Sequence, residues 1–300
     1  MSSRAVPEPV FLLDASVTIF RYYFSMPDAW WSDDGRPTAA VYGYSRWLVQ
    51  LLSRHQPTRI AACFDESLGT CFRNQLFPAY KASRVLPDDD LAFQLRACRE
   101  MTESLGIATY ASYTHEADDL IGTLAARAHR QGRPVRIISR DKDLLQLLRP
   151  GDQLWDATPE GQVRDWASVT ALFGIDSAQI PDYLALIGDP CDDIPGVPGV
   201  GPKTAVALLR EFGSIPNLLA HLDQLSHLPL RGAAGLSGKL RDHSDQLMLM
   251  RQLTRIDRRA RLGRRMQLLR ARPRLAAVLE LANFLGFGSE LQKALSPSIS

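Results

Sequence analysis

Three hundred residues, 45% hydrophobic and 23% charged, form an ordinary soluble chain with length for one large domain or two smaller ones. A net charge of only +2 excludes an argument for a nucleic-acid partner from bulk charge, so such a partner needs local basic patches. The four cysteines (Cys63, Cys71, Cys98, Cys191) show no CxxC pairing, which argues against a disulfide frame or zinc site and predicts reduced thiols in a cytosolic protein. No stretch approaches a membrane span, and no long apolar leader precedes Asp14.

The first predicted element is a buried strand of Val10, Phe11, Leu12 and Leu13 that ends in Asp14. A helical pattern covers 38–54. Ile60, Ala61, Ala62, Cys63 and Phe64 repeat the strand pattern and end in Asp65. Within 71–100, Arg73, Lys81 and Arg84 are interleaved with Phe72, Phe77 and Tyr80. Phe77, Tyr80, Lys81 and Arg84 fall at helical spacing, with Pro78 at or near a helix start. Such interleaving suits a phosphate backbone and stacked bases, although taken alone a solvated amphipathic surface accounts for it better. Pro87, Asp88, Asp89 and Asp90 read as the start of the next helix (91–104), the acids capping rather than ligating.

The chain is organised around 115–143. Thr114 is the expected N-cap of a helix over 116–130, with Ala117, Leu120, Ile121, Leu124, Ala125 and Ala128 on its apolar face. Gly132 and Pro134 end it, and Val135, Arg136, Ile137 and Ile138 form a third strand before Asp141. The helix dipole accounts for Glu116 and for one of Asp118 and Asp119, but not for Asp141 and Asp143. Strands alternating with helices predict a parallel sheet with right-handed crossovers, whose ligands bind outside the strands' carboxyl ends. One strand-end aspartate is more often a turn residue. Three of them, joined by the Glu116 group, predict a divalent cation that offsets their repulsion.

Residues 181–215 carry the second informative pattern. A short helix from Asp182 to Ile187 delivers Asp189, Asp192 and Asp193. Gly196, Gly199 and Gly201 then alternate with Pro and Val before a helix from about Thr204 to Phe212, with Lys203 adding charge. Backbone N–H groups exposed there suit an anion. A nucleotide P-loop fails on register, because Pro202 follows Gly201 and no strand precedes the loop. A helix–hairpin–helix grip on DNA phosphates is predicted instead. Residues 216–256 read as helical with a flexible interruption at Gly232–Gly238, and 257–273 as arginine-rich, either a phosphate-tracking face or a solvated helix. The tail 291–300 is expected to be loose.

The motifs LLDAS, CFDE followed by FR and YKASR, EADDL, SRDKDLLQLL and GDPCDDIPGVPGVGPKTA, in this order, resemble the 5′–3′ exonuclease and flap endonuclease family. That family includes the N-terminal nuclease domain of bacterial DNA polymerase I and its free-standing relatives. The resemblance covers roughly residues 8–260. It implies an α/β fold: a PIN-like 5′-nuclease core (1–174) with a central, mostly parallel sheet, a helical arch at about 71–100, and a helical DNA-binding region (175–290). The last holds a helix–three-turn–helix at about 182–213. Carried over by position, Asp14, Asp65, Glu116 and Asp118 form a first metal site. Asp119, Asp141, Asp143, Asp189 and Asp192 form a second, some through water. The implied ions are two Mg2+ or Mn2+ about 4 Å apart, one generating hydroxide and the other stabilising the leaving 3′ oxygen.

By the same resemblance, Arg73, Lys81 and Arg84 contact the scissile phosphate and 5′ strand, with Tyr80 beside them. Gly196, Gly199, Val200, Gly201, Lys203 and Thr204 hold the duplex, with a monovalent cation such as K+. The implied partner is DNA with a 5′ flap, nick or free 5′ end, or an RNA–DNA primer, acted on by a cytoplasmic monomer in primer removal or repair. The chain departs from the family at Cys191 and Asp193, where relatives usually show Ser and Asn, and at Phe20, where several carry Tyr. Asp193 is therefore expected to add negative charge near the second metal. Two other classes are weighed. A DNA-structure sensor with a damaged metal site is disfavoured by the complete acid set. A PIN-like ribonuclease is disfavoured by the 194–204 hairpin, which suits a duplex behind the cut.

Overall fold

The computed structural model describes residues 7–158, 161–229, 233–263 and 267–288. Strand β1 (Val10–Asp14) is buried throughout and runs directly into helix α1 (Ala15–Ser25), with Asp14 as its N-cap. Helix α2 (Ala39–His55), strand β2 (Ile60–Asp65), the short helix α3 (Phe72–Leu76), helix α4 (Asp89–Ser104) and strand β3 (Ala108–Ser112) follow. Then come helix α5 (Ala117–Arg130) and strands β4 (Val135–Ile138), β5 (Gln153–Trp155) and β6 (Val163–Asp165). The sheet order is β3–β2–β1–β4–β5–β6, parallel except for the antiparallel β5/β6 pair, as the alternation predicted.

Because successive strand residues face opposite sides, the sheet divides the core in two. Val10, Leu12, Ala61 and Cys63 pack toward α5 and the C-terminal helices. Phe11, Leu13, Ile60, Ala62 and Phe64 pack with residues of α1, α2 and α4. Beyond the sheet lie α6 (Trp166–Phe173), α7 (Ile180–Ile187), the hairpin strands β7 (Gly188–Asp189) and β8 (Ile194–Pro195), α8 (Pro202–Phe212), α9 (Ile215–Ala220), α10 (Ala233–Asp242) and α11 (Ser244–Thr254). Helix α7, the hairpin and α8 form the expected helix–hairpin–helix. Gly196 is required there: a Cβ would stand 2.3 Å from Ile187 C and 2.5 Å from Gly188 N.

Several local expectations are corrected. Helix α5 is capped by Glu116, not Thr114, and the Asp119 carboxylate accepts from Glu116 N–H. The helix expected to start at or near Pro78 does not form. Between α3 and α4 the chain turns, and Phe77, Tyr80, Lys81 and Arg84 share no helical face; Lys81 has φ +52°. Gly235 and Gly238 lie inside α10 rather than in a flexible break, and 230–232 fall outside the described residues. The arginine-rich 257–273 stretch forms no helix in its described parts. It runs extended to the sheet's amino-terminal edge, where Arg59 pairs with Leu269. Helix α12 (Leu275–Phe284) then joins the core expected to end at 174, since Val278 and Ala282 pack with the α1, α2 and α4 cluster. The tail 291–300 lies outside the described residues. No helix among the described residues is long and apolar enough to cross a membrane.

Candidate active site

Parallel register brings the strand ends together. Asp14 stands opposite Cys63, two residues before Asp65, and Leu13 pairs with Ile138, three before Asp141. Asp14, Asp65, Glu116, Asp118 and Asp141 line one cavity of about 420 Å3. Lys81 and Arg84 enter it from the turn after α3, and Phe20, Phe24 and Val85 add an apolar wall. Phe24 is 79% exposed and Val85 91%.

The electrostatics are those of a cation site. Burial, then repulsion from Asp141, raises the Asp14 pKa from 3.8 to about 7, although Ser139 Oγ donates to Asp14 Oδ2 at 2.8 Å. Asp118 and Asp143 are pushed well up by burial, then by Asp141. Asp65 is raised by burial and by Glu116. Glu116 behaves oppositely: burial would raise its pKa, but Lys81 and Arg73 outweigh burial and hold it down. Lys81 Nζ lies 2.5 Å from Glu116 Oε1 and 3.6 Å from Asp192 Oδ2, and Arg84 Nη2 lies 2.9 Å from Asp192 Oδ1.

The residues present fit a divalent ion. Asp143 Oδ1 is buried and has no hydrogen-bond partner in the structure, next to Asp141, whose Oδ1 accepts from Asp143 N–H at 2.8 Å. Carboxylates this enclosed and mutually repelling supply the all-oxygen donor set that hard cations require. Asp189 is reached by Lys142 Nζ at 3.0 Å. Lys142 and Ser139 are supporting residues that sequence reasoning passed over, although both stand in the SRDKD run.

Three expected site residues have other roles. Arg73, 2% exposed, does not reach a substrate: Nη1 and Nη2 clasp Asp119 at 2.7 and 2.8 Å, Nη1 meets Glu116 at 3.0 Å, and Nε and Nη2 donate to Leu253 O and Arg255 O. Asp119 is fully buried, with its oxygens taken by Arg73, Glu116 N–H and Asp257 N–H, which leaves it no place among the metal ligands. Cys71, Glu116 and Asp119 are close enough to suggest a metal centre, but the Arg73 guanidinium already supplies the positive charge there. Tyr80 is 2% exposed and donates to Glu116 Oε2 at 2.8 Å, so it is no stacking platform.

Asp193 also turns away from the acids. Its Oδ2 accepts from Ser83 N–H at 2.9 Å and Ser83 Oγ at 2.8 Å, and its φ of +55° is a left-handed conformation that Asp and Asn adopt more readily than most residues. In the hairpin, Gly199 and Gly201 are exposed and Val200 is buried, with Lys203 exposed and Thr204 half-buried at the start of α8.

Acids at the carboxyl ends of parallel strands, a basic turn above them and an appended helix–hairpin–helix define an acid-cluster α/β nuclease fold. The chain belongs to the 5′–3′ exonuclease family: residues 9–174 match its N-terminal resolvase-like domain and 175–276 its C-terminal SAM fold. It is 36% identical over 292 residues to DNA polymerase I of Bacillus caldotenax, covering 96% of this chain and 32% of that protein. It is 39% identical over 249 residues to DNA polymerase I of Pseudomonas aeruginosa, covering 83% and 27%. The chain thus spans about a third of the length of the curated relatives it matches. Among solved structures it is similar in fold to the bacteriophage T5 flap endonuclease in a pseudo-enzyme–product complex with DNA and metal ions (TM-score 0.67, 18% identity, 98% of this chain and 100% of that one). The catalytic core of Rad2 with DNA substrate is also similar (TM-score 0.63, 18% identity, 98% and 93%).

Proposed function

We propose that this chain is a divalent-metal-dependent nuclease that hydrolyses DNA phosphodiesters from a 5′ end and at 5′-flap junctions, in primer removal or repair. The observation that carries the reading is the convergence of Asp14, Asp65, Glu116, Asp118 and Asp141 in one cavity that also admits Lys81 and Arg84. Asp14, Asp65, Glu116 and Asp118 would hold one ion, and Asp141, Asp143, Asp189 and Asp192 a second. Mg2+ or Mn2+ bound there supplies an activated water and charge stabilisation at the phosphoryl oxygens.

The chain's own groups do the rest. Ser139 and Ser67 fix Asp14 and Asp65 by donated hydrogen bonds, so these carboxylates need little reorganisation to ligate. Lys81 and Arg84, now paired with Glu116 and Asp192, are within reach of a phosphate in the cavity and would neutralise charge developing on it. Phe20, Phe24 and Val85 offer apolar surface to an unpaired base. The exposed hairpin glycines and Lys203 at the α8 N-terminus would hold the duplex behind the cut, with a monovalent cation such as K+ against the hairpin backbone. Cleavage of a 5′-labelled flap duplex and a matched single strand, in Mg2+, Mn2+ or EDTA, tests this. Metal-dependent incision at the flap junction is expected. Tight flap binding without incision in either metal would instead mark the chain as a DNA-structure sensor.

A further inference from the structure

The arginine-rich stretch after α11 is not used by the cavity described above. Its described part runs extended across the amino-terminal end of the sheet. Ile60 N–H donates to Leu268 O at 2.8 Å, Arg270 N–H to Thr58 O at 2.9 Å, and Ala271 N–H to Gly106 O at 2.8 Å. This brings Arg270 beside Arg59, which precedes β2, and Arg127, in the last turn of α5. With Gln131, Gln267 and Leu269 they line an open groove of about 470 Å3.

No carboxylate lines this groove, and none of its three arginines forms an ion pair among the described residues. Arg59 Nη1 donates to Thr58 Oγ1, and Arg270 Nε to Leu105 O, both neutral acceptors. Glu8, whose carboxylate feels Arg59, is occupied by Thr58 N–H and Oγ and stays outside the lining. Three arginines lining one groove without counter-charge create a local positive potential, which an anion relieves.

We propose that this groove binds the phosphodiester backbone of nucleic acid, as a second contact away from the catalytic cavity. The proposal rests on the reading of the chain as a DNA nuclease, which supplies the polyanion. Guanidinium forks match phosphate oxygens bidentately. The groove is open rather than enclosed, which suits a run of phosphates better than one small anion. An acidic peptide is less suited, because Leu269 is the only large apolar side chain of the lining that is exposed as an anchor. Arg127 lies about 16 Å along α5 from Glu116 at 1.5 Å per residue. That is roughly five base-pair steps, so only DNA extending past that distance can reach both places.

The test is DNA binding by the full chain in EDTA, read by fluorescence anisotropy across a KCl series. The ligands are 5′-flap DNAs with hairpin-closed arms of about 4 base pairs, short of the groove, or about 30 base pairs. Each lost phosphate contact lowers the salt slope by about 0.9. Arg127→Ala/Arg270→Ala should therefore flatten the long-arm slope by about 2 and bind the long arm about tenfold more weakly at low salt, with short-arm binding unchanged. Arg127→Gln alone, half-buried in the last turn of α5, should shift the slope by about 1 and stands in if the double variant misfolds. Equal long-arm slopes for wild type and variants overturn the proposal, and an acidic protein ligand would give that result. Metal-dependent cleavage of the short-arm flap by wild type is scored separately. Cleavage with equal slopes sinks the groove alone, whereas no cleavage with unequal slopes sinks the nuclease reading and leaves the groove standing.

Discussion

Arg73→Met removes a guanidinium whose every nitrogen is engaged: Nε on Leu253 O, Nη1 on Glu116 and Asp119, Nη2 on Asp119 and Arg255 O. Met keeps part of the buried volume, so the loss falls mainly on charge and hydrogen bonding. Asp119 then stays in the core with only the N–H groups of Glu116 and Asp257 as donors. Removing one partner of a buried ion pair costs about 3–5 kcal/mol. The orphaned carbonyls of Leu253 and Arg255 add about 1 kcal/mol each. For a chain of this size the melting temperature should fall by about 8–11 °C. Melts of wild type, Arg73→Met and Arg73→Met/Asp119→Leu in EDTA measure it, and the double variant should recover at least half the loss because no buried charge is left unpaired. The alternative expected from the sequence, Arg73 on the scissile phosphate, predicts a wild-type melt with slowed turnover. That pattern would refute the buried-strut reading.

Without metal, stability should fall as pH rises from 5 to 7. Asp14 has a folded pKa (about 7) above its unfolded value, so its contribution is full below pH 3.8 and is lost as pH climbs through 7; at about 1.4 kcal/mol per pH unit, that one group removes about 2–3 kcal/mol over this range. Asp118 and Asp143 act in the same direction, Mg2+ should flatten the slope, and an EDTA melt that is higher at pH 8 than at pH 5 contradicts the assignment. Asp193→Asn should leave the Mg2+ concentration for half-maximal cleavage within about twofold, since an amide oxygen can accept the same Ser83 donors without a charge; a shift beyond fivefold would place Asp193 at the metal after all. Gly196→Ala forces a Cβ against Ile187 C and Gly188 N, and should cost about 2–4 kcal/mol and weaken flap binding, whereas Gly201→Ala, with open space around its Cβ, should melt like wild type.

Three of the sheet's six strands, β1, β2 and β4, were legible because they are written in one-dimensional patterns. Apolar runs at 10–13, 60–64 and 135–138 each stop at or just before an aspartate, and helical periodicity fills the intervals. Strand β3 was missed because it lies at the sheet edge and Ala-Thr-Tyr-Ala-Ser is only half-buried, without the hydrophobic run of its neighbours. Helix α1 was missed because it follows β1 with no linker, so its pattern merges with the strand. The spacing of Phe77, Tyr80, Lys81 and Arg84 misled for a different reason: periodicity reports a helix only where the backbone stays helical, and Pro78 and the left-handed Lys81 interrupt it.

The acids themselves were legible as a group, but their division of labour was not, because it depends on which cation reaches which carboxylate. Asp118 and Asp119 are adjacent in sequence and point to opposite fates. Asp118 lines the cavity, while Asp119 is turned into the core to meet Arg73. Residue type alone could not separate Arg73 from Lys81 and Arg84. All three pair with acids, yet Arg73 also holds two carbonyls from the end of α11 and beyond it, and is sealed in the core. Arg84 is 41% exposed at its side chain and holds only Asp192. A phosphate entering the cavity can therefore compete for Arg84, and for Lys81 where it borders the cavity, but not for Arg73. Transferring Arg84 from Asp192 to a phosphate frees Oδ1 of that carboxylate at the moment a second cation would need it. On this arrangement substrate and the second metal should bind with positive coupling, through the exchange of one guanidinium between two anions.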